Sequence, residues 1–98
     1  MKQPTHIEIY SKENCPYCDA AERIAQQMVQ ETSEFTYKKY MLDEDFTREE
    51  LFKKFPTART FPQIQFVIDG TTTYVGGFQE LQQHLGNMLK DNQWQNKK

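Results

Sequence analysis

Two cysteines separated by two residues are the side chains with the clearest chemistry in this chain. Cys15 and Cys18 are its only cysteines in 98 residues, and they enclose Pro16 and Tyr17. An apolar run ending at Tyr10 precedes the pair, and a segment with helical periodicity follows it. A Cys-x-x-Cys pair between a strand and a helix is typical of redox proteins. The pattern therefore predicts reversible dithiol–disulfide chemistry.

The expected place of Cys15 at the beginning of a helix provides a way to activate its thiol. Free backbone N–H groups and the positive end of the helix dipole favour an anion, and therefore a thiolate over a thiol. The thiolate is the form that attacks disulfides. Lys12 lies three residues earlier and would add positive charge, so the exchange needs no separate base.

Half of a zinc site is the alternative reading of the cysteine pair. A tetrahedral structural site needs two further ligands, and His6 and His84 are the only good candidates. The two histidines lack the close spacing of zinc motifs, and we expect both to be ordinary surface or strand-end residues. We therefore expect no bound metal.

Composition limits the class of protein. The length suits one globular domain, with 37% hydrophobic and 27% charged residues. A net charge of −2 argues against nucleic acid as a partner. No apolar stretch is long enough for a signal peptide or a membrane span, which predicts a cytoplasmic protein without a membrane partner. A cytosolic cysteine pair is more often catalytic than structural.

The hydrophobic periodicity predicts the order β-α-β-α-β-β-α, with a core over about residues 5–90 and a polar tail over 91–98. Thr47 and Glu50 fit a capping box at the start of the second helix. Asp69-Gly70 indicates a hairpin turn. The expected strands are Thr5 to Ser11, Phe35 to Leu42, Gln63 to Ile68 and Thr71 to Val75, and the helices are Pro16 to Glu31, Thr47 to Phe55 and Phe78 to Lys90.

These elements predict an α/β fold in which helices cover both faces of a four-stranded mixed sheet. The first two strands should be parallel because a helix connects them. Lys38 and Lys39 suit an edge strand, where charge discourages further pairing. Leu51, Phe52 and Phe55 should form the buried side of the second helix.

The chain resembles the glutaredoxins, small proteins with the thioredoxin fold, from about Thr5 to Leu89. Three motifs carry the resemblance, in the order that the family has them. They are Cys15-Pro16-Tyr17-Cys18, Thr60-Phe61-Pro62, which is similar to the family's Thr-Val-Pro, and Gly76-Gly77-Phe78.

The resemblance implies unequal roles for the cysteines. Cys15, the more exposed, would be the nucleophile, and Cys18 would resolve the mixed disulfide. Pro62 would be cis and lie beside the cysteines, leaving the main chain of Phe61 free to pair with an extended peptide. That peptide would be glutathione, acting as co-substrate, with no tightly bound cofactor.

The resemblance also implies a set of glutathione contacts. Lys12 and Tyr17 would flank the tripeptide, while Thr60 and Phe61 would hold its cysteinyl part. The γ-glutamyl carboxylate would meet the N–H groups that open the last helix, a suitable place for an anion. The residues of that region are Gly77, Phe78 and Gln79, and Arg59 would bind the glycine carboxylate. Gln79-Glu80 replaces the family's Asp or Ser residues, and Glu80 keeps an acid at the second place.

The function implied is a glutathione-dependent reduction of protein disulfides and protein–glutathione mixed disulfides by a monomer. One alternative is a dedicated electron donor to ribonucleotide reductase that thioredoxin reductase charges. Another is a carrier of an iron–sulfur cluster held by Cys15 and glutathione, since thiolates suit such clusters. The intact Pro16-Tyr17 pair disfavours the cluster.

Overall fold

A computed structural model describes residues 4–58 and 60–92, and the elements follow the predicted order. The strands are β1 (Thr5–Ser11), β2 (Phe35–Met41), β3 (Gln63–Ile68) and β4 (Thr71–Gly76). The helices are α1 (Pro16–Glu31), α2 (Arg48–Lys54) and α3 (Phe78–Asn92).

The four strands form one mixed sheet in the order β2-β1-β3-β4. β1 and β2 are parallel, as the α1 crossover requires, and β3 is antiparallel to both β1 and β4. Asp69 and Gly70 turn the β3–β4 hairpin with φ angles of 51° and 82°. Positive φ at both central residues is the geometry for which Asp-Gly is suited. β2 is an edge strand, as the charges of Lys38 and Lys39 led us to expect.

The two faces of the sheet carry separate hydrophobic clusters. Alternation along β1 puts Ile7 and Ile9 on one face and Tyr10 on the other. The first face packs against α1 and α3 through Ala21, Ala25, Leu81 and Leu85. The second face packs against α2 and its flanking loops, and its cluster consists of Tyr10, Phe46, Leu51, Phe55 and Ala58. Helices therefore cover both faces, as expected.

α2 begins at the capping box that the sequence indicated. The Thr47 side chain accepts from the Glu50 N–H at 3.1 Å, and the Glu50 carboxylate accepts from the Thr47 N–H at 2.8 Å. The predicted burial of Phe52 is wrong, since 47% of this residue is exposed. Leu51 and Phe55, one helical turn apart, face the sheet, and Phe52 is rotated about 100° away from Leu51.

Several element ends differ from the prediction by one or two residues. β2 ends at Met41, because Leu42 makes only an isolated bridge to Phe46. β4 includes Gly76, and α3 extends to Asn92 rather than Lys90. The rest of the predicted tail, 93–98, lies outside the described residues. No helix in the described part of the chain has the length and apolar content that a bilayer span requires.

Candidate active site

The cysteine pair occupies the junction between the loop after β1 and the first turn of α1. Pro16 is the first residue of the helix, where the missing N–H of proline costs no hydrogen bond. Cys15 is the N-cap residue, with extended backbone angles, and Asn14 before it has a φ of 56°. The two sulfur atoms are bonded, and the Cα atoms are 5.2 Å apart. The structure therefore holds the pair in its oxidised form.

The two cysteines differ in exposure and in hydrogen bonding. Cys15 is 8% exposed, whereas Cys18 is 1% exposed and lies inside the first turn. Sγ of Cys15 accepts a hydrogen bond from the backbone N–H of Cys18 at 3.2 Å. Cys15 is thus the sulfur that an incoming disulfide reaches first, and a helix N–H already points at it.

The second motif follows α2 and leads into β3. The peptide bond between Phe61 and Pro62 is cis, and Pro62 is fully buried. Thr60 is exposed, and its carbonyl accepts from the side-chain amide of Gln63 at 2.7 Å. The buried side chain of Gln63 thereby anchors the loop to the beginning of β3.

Lys12 and Phe61 come together from distant parts of the sequence. Nζ of Lys12 lies 5.8 Å from the centroid of the Phe61 ring, within the range of a cation–π contact. The half-buried Phe61 ring packs against the α2-side cluster and stacks with Phe46, the centroids being 6.5 Å apart. The contact puts the Lys12 ammonium beside the second motif.

The third motif opens α3. Gly77 precedes the first residue of the helix, Phe78, whose ring centroid lies 5.7 Å from that of Tyr17. A Cβ placed on Gly77 would be 3.6 Å from the carbonyl oxygen of Pro62, so the second and third motifs are in contact. The Gly77 N–H donates to Oε1 of Glu80 at 2.9 Å.

One cleft joins the three motifs. Its volume is about 260 Å³, and it begins at the exposed ring of Tyr17. Seven of the predicted glutathione contacts line it, namely Tyr17, Thr60, Phe61, Pro62, Gly77, Phe78 and Gln79. Lys12 contacts the Phe61 ring, and the predicted Arg59 lies outside the described residues.

Glu80, the acid that the resemblance places after the glycines, also lines this cleft. It also lines a neighbouring cleft with Tyr74 and Gly76. Burial and the Glu80 carboxylate raise the pKa of the Tyr74 phenol. Glu80 stands three residues after Gly77, which is the spacing of the second half of a capping box.

The two histidines lie apart from the cysteines. Nδ1 of His6 is 2.7 Å from the Thr36 hydroxyl, at the start of β1 and so at the opposite end of that strand from Cys15. His84 packs edge-on against Phe66 in the core. Among residues 4–58 and 60–92, no three potential metal ligands come together.

The arrangement can accept two electrons and two protons, which convert the disulfide into two thiols. In the reduced form, the Cys18 N–H and the positive end of α1 would stabilise a Cys15 thiolate. The adjoining cleft includes the N-terminal end of α3, and the Lys12 ammonium contacts the ring of Phe61, one of its lining residues. Such groups suit a small extended peptide with anionic ends.

Known structures support the fold. Reduced *Escherichia coli* glutaredoxin is 27% identical, with a TM-score of 0.66, over 89% of this chain and 95% of the other. *Francisella tularensis* glutaredoxin 1, complexed with cacodylate, is 22% identical, with a TM-score of 0.62, over 88% and 98%. *Saccharomyces cerevisiae* mitochondrial thioredoxin 3 is 16% identical, with a TM-score of 0.65, over 91% and 79%. The chain thus has the thioredoxin fold.

The assignment to a family rests on a comparison of sequences. No curated protein matches the chain. The glutaredoxin family model matches residues 7–71, a span that includes the cysteine pair and the cis-proline motif. This span is more than half of the chain. The chain therefore belongs to the glutaredoxin family of thiol–disulfide oxidoreductases.

Proposed function

We propose that this protein is a glutathione-dependent oxidoreductase that reduces protein disulfides and protein–glutathione mixed disulfides. The observation that carries the proposal is the single cleft that joins Tyr17, Pro62 and Gly77. Its lining includes Tyr17, which stands between the two cysteines in the sequence, and the residues that open α3, so we expect a tripeptide thiol bound along it to direct its sulfur toward Cys15.

Glutathionylated proteins would be reduced in two exchanges. The Cys15 thiolate attacks the glutathione sulfur of the mixed disulfide, and the protein thiolate leaves and takes up a proton. A second glutathione thiolate then attacks the Cys15-bound glutathione. This step releases glutathione disulfide and restores the Cys15 thiolate, with two electrons transferred in the cycle.

Protein disulfides would require both cysteines. Cys15 attacks one sulfur of the substrate, and Cys18 then attacks Cys15, which releases the substrate dithiol and leaves the Cys15–Cys18 disulfide. Two glutathione molecules reduce that disulfide. The buried position of Cys18 supports this role. The Cys18 sulfur can reach Cys15 more readily than it can reach an external substrate.

In the proposed cleft, the exposed Tyr17 ring and the Lys12 ammonium flank the tripeptide. Main-chain groups of Thr60 and Phe61, beside Pro62, hold its cysteinyl part. The γ-glutamyl carboxylate meets the start of α3 at Gly77, Phe78 and Gln79. We assign the glycine carboxylate to Arg59. The cycle suits a monomer in the cytoplasm, where glutathione is kept reduced.

Turnover with two reducing systems tests the proposal. A glutathionylated peptide is supplied with NADPH, glutathione and glutathione reductase, or with NADPH and thioredoxin reductase. We expect fast turnover in the first system and little in the second. Turnover with thioredoxin reductase alone would reject glutathione dependence and would favour the donor to ribonucleotide reductase.

A further inference from the structure

One buried hydroxyl group at the end of β1 has no partner. Ser11 is 1% exposed, and its Oγ makes no hydrogen bond to any of the described residues. The carbonyl of the same residue is paired, since it accepts from the Leu42 N–H at 2.9 Å. Buried hydroxyl groups are usually hydrogen-bonded, because an unpaired one destabilises the folded state.

The fold places Ser11 at the same end of the sheet as the cysteines. Ile7 and Ile9 face α1, and alternation along β1 puts Ser11 next on that face. α1 returns antiparallel to β1, so its first turn packs at the end of the strand where Ser11 lies. The buried face of α1 begins with Cys18 in that first turn and continues through Ala21, Ala25 and Met28.

The groups on either side of Ser11 offer it no donor in the oxidised protein. Tyr10 pairs with Gln63 in the antiparallel register, so Ser11 comes level with Pro62, which is fully buried and has no N–H. The N–H of Cys18 donates to Sγ of Cys15, and the Cys18 sulfur is bonded and carries no proton.

We propose that the Ser11 hydroxyl is a redox-linked partner of Cys18, to which it hydrogen-bonds only in the reduced protein. Reduction breaks the S–S bond with two electrons and two protons, and it frees the Cys18 sulfur as a thiol or a thiolate. A thiol has an S–H donor, and a thiolate is a charged acceptor. A serine hydroxyl both donates and accepts, so it can pair with either form.

This pairing favours the dithiol over the disulfide. The oxidised protein bears the cost of the unpaired hydroxyl and the reduced protein does not. The same bond assists the resolving step, in which the Cys18 thiolate attacks the mixed disulfide on Cys15. Burial disfavours that thiolate, and a hydroxyl that donates to it offsets part of the cost. The released substrate thiolate takes up the proton that Cys18 gave up.

Equilibrium with a glutathione redox buffer measures the effect. Wild type, Ser11→Ala and the exposed control Ser33→Ala are equilibrated at fixed ratios of glutathione to glutathione disulfide and quenched with acid. Alkylation and intact mass then give the fraction of dithiol. We expect Ser11→Ala to shift the equilibrium constant about ten-fold toward the disulfide, which lowers the reduction potential by about 30 mV. Ser33→Ala should keep the wild-type constant.

Urea unfolding of the oxidised and reduced proteins separates this role from a purely structural one. Ser11→Ala should stabilise the oxidised protein relative to the reduced protein by the same factor of about ten in the unfolding equilibrium constant, because the two measurements close one thermodynamic cycle. An unchanged redox equilibrium, a shift toward the dithiol or an equal change of stability in both redox states would overturn the proposal.

The inference rests on the dithiol and not on the proposed glutathione cleft. An equilibrium constant is the same whether glutathione reacts from the cleft or from free solution. A wild-type potential in Ser11→Ala, beside normal glutathione turnover of the wild type, would therefore overturn this inference alone. A ten-fold shift in Ser11→Ala, beside a wild type that turns over only with thioredoxin reductase, would uphold it while the glutathione proposal fails.

Discussion

The backbone N–H of Cys18 donates a 3.2 Å hydrogen bond to Sγ of Cys15. This contact is an N-cap in which a sulfur takes the place that an oxygen usually holds. The donor is fixed by the helix, so it remains directed at the sulfur when the disulfide opens. A thiolate gains more from such a donor than a thiol does, because hydrogen bonds to charged groups are stronger.

The reactivity of the single cysteines follows from this contact. In Cys18→Ser, iodoacetamide at pH 6 should alkylate Cys15 at least about ten-fold faster than in the same variant unfolded in urea. In Cys15→Ser, the buried Cys18 should react more slowly in the folded protein than in urea. Equal rates for the two folded variants would show that the helix start does not activate Cys15.

Local signals account for the parts of the fold that could be predicted. The capping box of Thr47 and Glu50 and the turn at Asp69-Gly70 each depend on residues within one turn of each other. The exposure of Phe52 could not be predicted from such local signals. In a seven-residue helix whose apolar residues are Leu51 and Phe52, with Phe55 as its C-cap, the angle at which the helix meets the sheet decides which of them is buried.

The same distinction, between features set by residues close in sequence and features set by packing, applies to the candidate site. The cysteine pair and the two glycines are visible in the sequence because their types and order are informative. The contact of Lys12 with Phe61 depends on how two distant loops approach each other. The contact of Glu80 with Gly77 depends on a side-chain conformation and on the space over Gly76. The ligand contacts themselves remain predictions.

Lys12→Ala should raise the KM for glutathione about five-fold, because loss of one partly exposed charged contact costs ~1 kcal/mol. Lys38→Ala is the matched control, since its Nζ lies 5.7 Å from the Tyr40 centroid, away from the cleft. Steady-state kinetics of both variants give the comparison. A similar KM change in the two would mean that overall charge, not the Phe61 contact, matters.

Ser11→Ala should raise the free energy of unfolding by ~1 kcal/mol, because a buried hydroxyl without a partner destabilises the folded state. Ser11 is 1% exposed, and its Oγ has no hydrogen-bond partner among the described residues. Urea unfolding measures the change, with the exposed Ser33→Ala as control. A loss of stability in Ser11→Ala would show that the hydroxyl is satisfied in solution.

Alkaline pH should destabilise the protein through Tyr10. Burial, Glu8 and Tyr40 raise the pKa of its phenol from 10.0 to about 12. The folded state therefore keeps a proton that the unfolded state loses, and stability falls as the pH rises from 10.0 to about 12. Urea unfolding across this range should show a shallower fall for Tyr10→Phe. Identical pH profiles would contradict the assignment to Tyr10.

The central claim is that Cys15 carries glutathione and that Cys18 resolves it. Intact mass spectrometry of reduced Cys18→Ser treated with glutathione disulfide tests this most directly. We expect one glutathionyl group per chain on Cys15, no adduct on Cys15→Ser, and an internal disulfide in the wild type. A Cys18→Ser protein that keeps its unmodified mass would contradict the claim.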